Sequence, residues 1–269
     1  MPTAVSANAE ETVVNRFVDR RIVVTGGGSG IGQGTVLRLL AEGGHVHAID
    51  VNADGLDVTR QMAAADGLGD RLSVGALDIS NEQAVEADVT AAIAALGGLD
   101  VLVNAAGILR AAHTHECTLD MWNQVIGINL TGTFLMTRAA LPALLSSGHG
   151  VIVNFSSTSA TFAHPYMAAY AASKGGVDAL THTLAVEYSK QGLRAVAVAP
   201  GGISSGITET TPGMLPADSD WSLFNKMSPI IGSGMGTPAD VAGVIAMLAS
   251  EDGRYITATS VRIDGGAHG

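Results

Sequence analysis

Tyr170 and Lys174 stand four residues apart in the run Tyr-Ala-Ala-Ser-Lys. On a helix that spacing puts both side chains on one face. An ammonium beside a phenol stabilises the phenolate and lowers the phenol's pKa from about 10. A phenol tuned in this way can exchange a proton near neutral pH. Ser157 lies thirteen residues before the tyrosine and offers a hydroxyl to the same chemistry. Ser156 and Ser159 compete with it, and the spacing to Tyr170 favours Ser157. Tyr166 and Tyr188 have no lysine four residues on, so neither rivals Tyr170.

A second group of residues points to a nucleotide. Thr25-Gly-Gly-Gly-Ser-Gly-Ile-Gly32 follows a β-branched run and opens a helical pattern, the setting in which a glycine cluster binds a dinucleotide. Gly26 permits a tight turn, while Gly30 and Gly32 let backbone and helix come close to a pyrophosphate and to the sheet. Exposed N–H groups and the helix dipole favour phosphate there. Asp50 ends the next apolar run, eighteen residues after Gly32. A carboxylate at that place can accept both ribose hydroxyls and repels a 2′-phosphate. Ser29 and Val51 bring no cation to such a phosphate, so NAD is favoured over NADP. Asn52 is the better candidate for capping the following helix.

These residues need elements to hold them. Strands are expected over 21–25, 45–50, 72–78, 99–104, 150–156, 194–200 and 260–264. Helices are expected over 30–42, 53–65, 82–96, 119–145, 168–191 and 238–249. Alternating strands and helices imply right-handed crossovers and a parallel sheet covered on both faces. Runs such as Ile22-Val-Val24 and Val101-Leu-Val103 are apolar throughout, as strands buried on two sides are. The fold class expected is a single doubly wound α/β domain over residues 20–269. Residues 1–19 form a polar extension without an assigned role. The stretch 201–237 is the longest irregular segment and the candidate substrate loop.

Composition narrows the function classes. In 269 residues, 47% are hydrophobic and 14% charged, enough for a large core. A formal net charge of -11 argues against nonspecific binding to nucleic acid or anionic membranes. The one cysteine, Cys117, forbids an intrachain disulfide and fits a reducing, cytoplasmic setting. The first ten residues lack the basic start and apolar run of a signal peptide. No apolar stretch reaches the roughly 20 residues of a membrane span.

With these motifs in order, the chain from Arg20 to Gly266 resembles the short-chain dehydrogenase/reductase family. Asn104-Ala-Ala-Gly107 resembles its motif after the fourth strand. Asn129 matches its helix asparagine, and Pro200-Gly201 its turn after the sixth strand. Ser205 stands where many members carry threonine. The resemblance implies a seven-stranded Rossmann sheet and hydride transfer between a nicotinamide and an alcohol or carbonyl. Tyr170 would exchange the proton, Ser157 would orient the substrate oxygen, and Lys174 would hold the nicotinamide ribose. Asn129 would hold a water linking Lys174 to solvent. Asp78 and Ile79 would meet adenine, with Asn104, Ala105 and Gly107 along the adenosine. Ile31, Ile203 and Ser205 join the cofactor set. The resemblance also carries most of an expected homotetramer, with the two long helices pairing.

Other residues are weighed on their surroundings. His113, His115, Glu116 and Cys117 crowd one short segment, where tetrahedral convergence on a metal is unfavourable, so no metal site is assigned. His164, Met214 and Trp221 are the candidate substrate contacts. Met214, Trp221, Phe224, Met227 and Met235 supply material for an apolar lid. The leading function is an NAD(H)-dependent alcohol dehydrogenase or carbonyl reductase. The alternatives are a 3-oxoacyl-carrier-protein reductase, for which the acidic chain would need a basic patch, and a catalytically silent nucleotide-binding regulator.

Overall fold

The computed structural model describes residues 15–162, 164–231 and 234–268, the side chains of residues 209 and 226 excepted. Seven strands form one parallel sheet: β1 (Arg21–Thr25), β2 (His45–Asp50), β3 (Leu72–Ala76), β4 (Val101–Asn104), β5 (Val151–Phe155), β6 (Arg194–Pro200) and β7 (Ser260–Ile263). Their order across the sheet is β3-β2-β1-β4-β5-β6-β7. Every pairing is parallel. The chain winds outward from β1 to β3, then returns to lay β4 on the other side of β1. That reversal leaves a crevice above the carboxyl ends of β1 and β4, the usual ligand position in open α/β sheets.

Side chains alternate along each strand, so the apolar strands feed two cores. Ile22 and Val24 enter one, packed with α1 (Gly30–Ala41) and α8 (Pro238–Ala249) through Val36, Leu39, Leu40, Val241 and Ile245. Val23 enters the other, with Val89 of α3 (Glu82–Leu96), Met136 of α5 (Thr133–Ser147) and Leu184 of α6 (Ala168–Glu187). Helix α2 (Ala53–Ala65) starts at Asn52, whose side chain accepts from Gly55 N, as its turn chemistry predicts.

Three differences from the sequence reading bear on the site. The single helix expected over 119–145 is interrupted: α4 (Leu119–Ile126) passes through a π-helical turn, Gly127–Gly132, into α5. The pattern of apolar residues runs smoothly through this turn, so periodicity alone does not reveal it. Helix α6 stops at Glu187, and a short 3-10 turn occupies Ser189–Gln191. The segment 201–237, expected to be irregular, contains α7 (Gly206–Met214) and a 3-10 turn, Trp221–Met227. Ser205 opens α7 in a reciprocal capping arrangement with Thr208, which offsets the helix-weakening Pro212 and Gly213.

Residues 1–14 of the expected extension lie outside the described residues. Its last residues pack on the sheet domain: Phe17 is fully buried. Arg16 holds Glu42 by two hydrogen bonds of 2.6 and 2.7 Å. Among the described residues, no helix is long and apolar enough to cross a membrane.

Candidate active site

The glycine turn leaves β1 and enters α1 beside the crevice. Gly32 allows this: a Cβ there would lie 2.0 Å from the Gly26 carbonyl oxygen. Gly26 has φ +72°, and a Cβ on it would meet the Ala106 backbone nitrogen at 2.9 Å. Helix α1 has Ser29 at its N-cap, yet the Ser29 side chain makes no capping bond and the first turn holds no acidic residue. Its leading N–H groups therefore face a cavity of about 550 Å³ bordered by Gly26, Ser29, Gly30, Ile31 and Gly32. An uncapped helix start with its dipole aimed into a cavity suits a pyrophosphate.

Asp50 stands next along the wall. Its carboxylate accepts from Gly28 N and Asn52 N, both at 2.9 Å. Two backbone donors fix its orientation and leave lone pairs for hydroxyls. A side chain at position 28 would crowd it, since a Cβ there would lie 3.0 Å from the carboxylate. Val51, Asp78 and Ile79 line the same end, as do Ala105 and Gly107 after β4. Pro200, Gly201, Ile203 and Ser205 line the opposite side, after β6. The residues present thus fit an adenine dinucleotide: phosphate donors, a ribose-facing carboxylate, and no basic side chain beside that carboxylate among the described wall residues.

Asn104 departs from expectation. It does not border the cavity. Its side chain turns into the core and donates to Asn154 Oδ1 at 2.9 Å and to Thr137 Oγ1 at 3.2 Å. Asn154 in turn donates to Thr181 Oγ1. The amide therefore ties β4, β5, α5 and α6 together behind the wall, which a strand-end position alone does not disclose.

Tyr170 and Lys174 come from the first two turns of α6, and Ser157 from the loop after β5; all three border the cavity. The Lys174 ammonium donates to the Phe155 carbonyl at 2.7 Å and lies 5.6 Å from the centre of the Tyr170 ring. Burial lowers Lys174 to about 8, opposed by the charge of Asp178. Burial also pushes the Tyr170 phenol above its ordinary value, and the Ser157 hydroxyl pulls it back. The depression of the phenol expected from Lys174 is not found: desolvation raises the phenol, the opposing pull comes from Ser157, and the ammonium lies over the ring rather than bonded to the oxygen. Of the competing serines, Ser156 also borders the cavity but gives its hydroxyl to the Lys174 carbonyl at 3.3 Å, and Ser159 is buried and does not border it.

Asn129 sits inside the π-turn, fully buried. Its Oδ1 accepts from Ile108 N at 2.8 Å, and its Nδ2 donates to Ile108 O and to Ser173 Oγ. Both N–H donors are engaged by protein, so the water expected there would meet an acceptor of Asn129, either Oδ1 or the backbone carbonyl, which already accepts from Thr133 Oγ1 at 2.8 Å. Asn129 reaches the cavity through Gly107, where an added Cβ would come within 3.2 Å of Oδ1 and 3.5 Å of the Lys174 ammonium.

The remaining wall is apolar. Trp221, Phe224, Met227 and Met235 line it, as the lid reading expects. Met214 does not; it packs behind, against the cluster of Leu109, Ala111 and Met167, and Leu215 takes its place at the cavity. Leu109, Met167 and Leu215 carry no sequence signal beyond being apolar, and only the fold brings them here. His164 lines the cavity and shares a 3.2 Å hydrogen bond with Thr158 Oγ1. Burial and the neighbouring His268 lower it to about 4, so its ring is neutral. Tyr166 is an anchor that the sequence does not announce. Its backbone is left-handed, φ +66°, and its hydroxyl accepts from Asp220 N at 2.9 Å across the loop. His113 bonds Asp218 at 2.9 Å, while His115 points to Glu116 and solvent.

Comparison with known proteins agrees with this fold. A family model described as enoyl-(acyl carrier protein) reductase matches residues 26–268. Levodione reductase of Leifsonia aquatica is 34% identical over 260 residues, 96% of this chain and 97% of that protein. A crystal structure of levodione reductase superposes with a TM-score of 0.87 at 35% identity, covering 93% of this chain and 98% of that one. The (3R)-3-hydroxyacyl-CoA dehydrogenase of Homo sapiens is 37% identical over 265 residues, 94% of this chain and 97% of that protein. Carveol dehydrogenase from Mycobacterium avium, in complex with NAD, gives a TM-score of 0.84 at 27% identity, over 94% of this chain and 98% of that one.

Lys174 makes stability depend on pH in a defined direction. Its folded pKa, about 8, lies below the ordinary 10.5. The folded state therefore resists its protonation, and the stability it contributes above pH 10.5 is lost as pH falls through 8. The gap corresponds to roughly 3 kcal/mol at about 1.4 kcal/mol per pKa step. Relative to wild type, Lys174→Met should be more stable by an increasing margin as pH falls from 10.5 to 7.5. Urea unfolding across that range measures it, and a margin independent of pH would refute it.

Proposed function

The chain belongs to the short-chain dehydrogenase/reductase family, and from that premise we propose that it is an NAD(H)-dependent oxidoreductase acting on an alcohol/carbonyl pair. The observation that carries this reading is one cavity bordered at one end by the open start of α1 and Asp50, and at the other by Ser157, Tyr170 and Lys174. A nicotinamide dinucleotide, when bound, supplies or takes the hydride. The chain supplies everything else. Tyr170 exchanges the proton with the substrate oxygen through its hydroxyl. Ser157 shares that oxygen and holds it against the phenol. Lys174 holds the nicotinamide ribose, and its charge offsets the cost of a buried phenolate. Asn129 acts as a positioning residue, setting Ile108, Gly107 and Ser173 around them. Pro200, Gly201, Ile203 and Ser205 hold the carboxamide side. The same reading takes residues 20–269 as one dehydrogenase domain with 201–237 as its substrate loop. It places the enzyme in the cytoplasm.

Tyr170→Phe removes the hydroxyl and keeps the ring. Turnover should fall by at least about 10²–10⁴-fold, while NADH binding, read by fluorescence enhancement, stays within a few-fold of wild type. Near-native turnover in a folded Tyr170→Phe protein would overturn the mechanism.

Asp50 sets the nucleotide preference. Wild type should bind NADH more tightly than NADPH, and Asp50→Ala should narrow the difference by weakening NADH and relieving the repulsion of a 2′-phosphate. Tighter NADPH binding by the wild type would sink this assignment.

We propose a homotetramer. Leu119 and Trp122 on α4, Phe134 on α5 and Val186 on α6 are large apolar residues left exposed on the two helical stretches suited to pairing. Light scattering at micromolar concentration should give about four times 27.2 kDa; a monomeric mass would count against it.

A further inference from the structure

We propose that the substrate is an uncharged, largely apolar hydroxy or oxo compound, such as a ring alcohol or ketone, and not an acyl thioester of CoA or a carrier protein. This rests on the dehydrogenase reading and adds a substrate class to it.

The argument begins with the charges on the wall. Among the described residues, the charged ones bordering the cavity are Asp50, Asp78 and Lys174. The two aspartates stand at the far end, beside the glycine turn and the carboxyl ends of β2 and β3. Lys174 donates to the Phe155 carbonyl and lies over the Tyr170 ring, at the seat assigned to the nicotinamide ribose. The chamber beyond Tyr170 is built from Leu109, Met167, Leu215, Trp221, Phe224 and Met227. Among the described side chains its titratable group besides Tyr170 is His164, neutral because burial holds it near 4. Among those side chains a carboxylate, sulfonate or phosphate placed there finds no counter-ion, and an unpaired buried charge is strongly disfavoured. A cationic substrate meets no carboxylate among the same described side chains.

The approach has the same polarity. Asp218 and Asp220 precede Trp221 on the loop and are exposed. His113 pairs with Asp218, which leaves Asp220 unneutralised by that contact. Arg110 adjoins Leu109 but turns its guanidinium to the Leu109 carbonyl at 2.9 Å and does not border the cavity. The polyanionic end of a CoA, or an acidic carrier, would approach this acidic rim on a chain of net charge -11. The hydroxyacyl-CoA relative therefore shares a fold and a family with this chain without lending it a substrate.

Within the chamber, His164 gives a neutral oxygen something to meet. Its Nε2 is bonded to Thr158, and its ring lies 5.5 Å from that of His268, which stacks on Phe162 at 4.5 Å. The stack holds the imidazole in place, and a neutral imidazole bonds a second hydroxyl or carbonyl without demanding charge.

The test uses the full-length protein, NAD and a matched set: cyclohexanol, cyclohexane-1,2-diol, 3-hydroxycyclohexane-1-carboxylate and 3-hydroxybutyryl-CoA, read as NADH formation. The ring alcohols should exceed the carboxylate and the thioester in kcat/KM by roughly 100-fold or more, the range expected when a charge is left unpaired in an apolar site. Leu215→Arg should shrink that gap by favouring the carboxylate. A carboxylate or thioester matching or exceeding the ring alcohols overturns the proposal while leaving the dehydrogenase reading intact. If no member is oxidised, titrating cyclohexanone into the enzyme–NADH complex decides through the NADH emission: a saturable change supports the proposal, and none overturns it. A protein that neither oxidises any member nor binds NADH sinks the dehydrogenase reading, and the substrate class with it.

Discussion

One buried amide holds the site together. Asn129 spends its carbonyl and both N–H groups on protein partners drawn from two other segments, the strand-end stretch at Ile108 and helix α6 at Ser173. Ser173 passes the connection to the Tyr170 carbonyl at 2.7 Å. A satisfied amide in a dry interior fixes geometry well, because any movement that breaks a bond leaves a polar group without water. The π-turn serves this arrangement. Widening the helix for one turn lets position 129 point inward, where a regular helix continuing from α4 sets a different angle. Lys174 and Tyr170 then take their places on the facing helix.

The wall that cradles the nucleotide is made by subtraction. Glycine at 32 lets the Gly26 carbonyl press against the helix start, and glycine at 26 lets the segment after β4, Ala105 and Ala106, lie close. Elsewhere the same closeness is obtained with side chains. The Asp50 carboxylate is held by two backbone N–H groups, so its charge is pointed before any ribose arrives. Tyr166 is the costly element. A left-handed backbone on a residue with a side chain stores strain, and it persists because the hydroxyl is tied to Asp220 and the ring packs on Phe224 and His113. The loop over 201–237 and the start of α6 are thereby joined four residues ahead of Tyr170, so a change of packing in the loop is felt at the helix start.

Much of this is legible in the sequence, for physical reasons. Strands buried on both faces, such as β1, β4, β5 and β6, have no polar alternation to blur them and are visible as apolar runs, while β3 and β7 at the sheet edges mix polar residues in. Glycines whose absent Cβ atoms are required leave a compositional mark. Tyr170, Lys174 and Ser157 carry functional groups at distinctive spacing. What escapes depends on direction rather than on type. Asn104 and Ala105 are neighbours, yet the strand's alternation sends the first inward to Asn154 and leaves the second on the cavity. Leu215 takes the cavity position expected of Met214, the residue at which α7 ends. The phenol of Tyr170 is shifted by how much protein covers it, a quantity set by the loop over 201–237 and invisible in a local motif. The π-turn hides because Ile128 and Leu130 carry apolar side chains through it between α4 and α5.

The strand order also dictates a schedule. Residues 21–104 contain the four strands β1 to β4, which are neighbours in the finished sheet. This half can pair within itself while the rest of the chain is still being made, and it already holds the glycine turn and Asp50. After β4 each new strand is added at one growing edge, β5 then β6 then β7, so no later segment has to insert between earlier ones. The groups that face a substrate come last: Ser157 and Tyr170 with the fifth strand and its helix, Trp221 and Phe224 after the sixth. A nascent chain thus has the glycine turn and Asp50 of its nucleotide site before Lys174, Pro200, Gly201, Ile203 and Ser205 arrive to complete the wall. A dinucleotide that comes early finds only half of its seat.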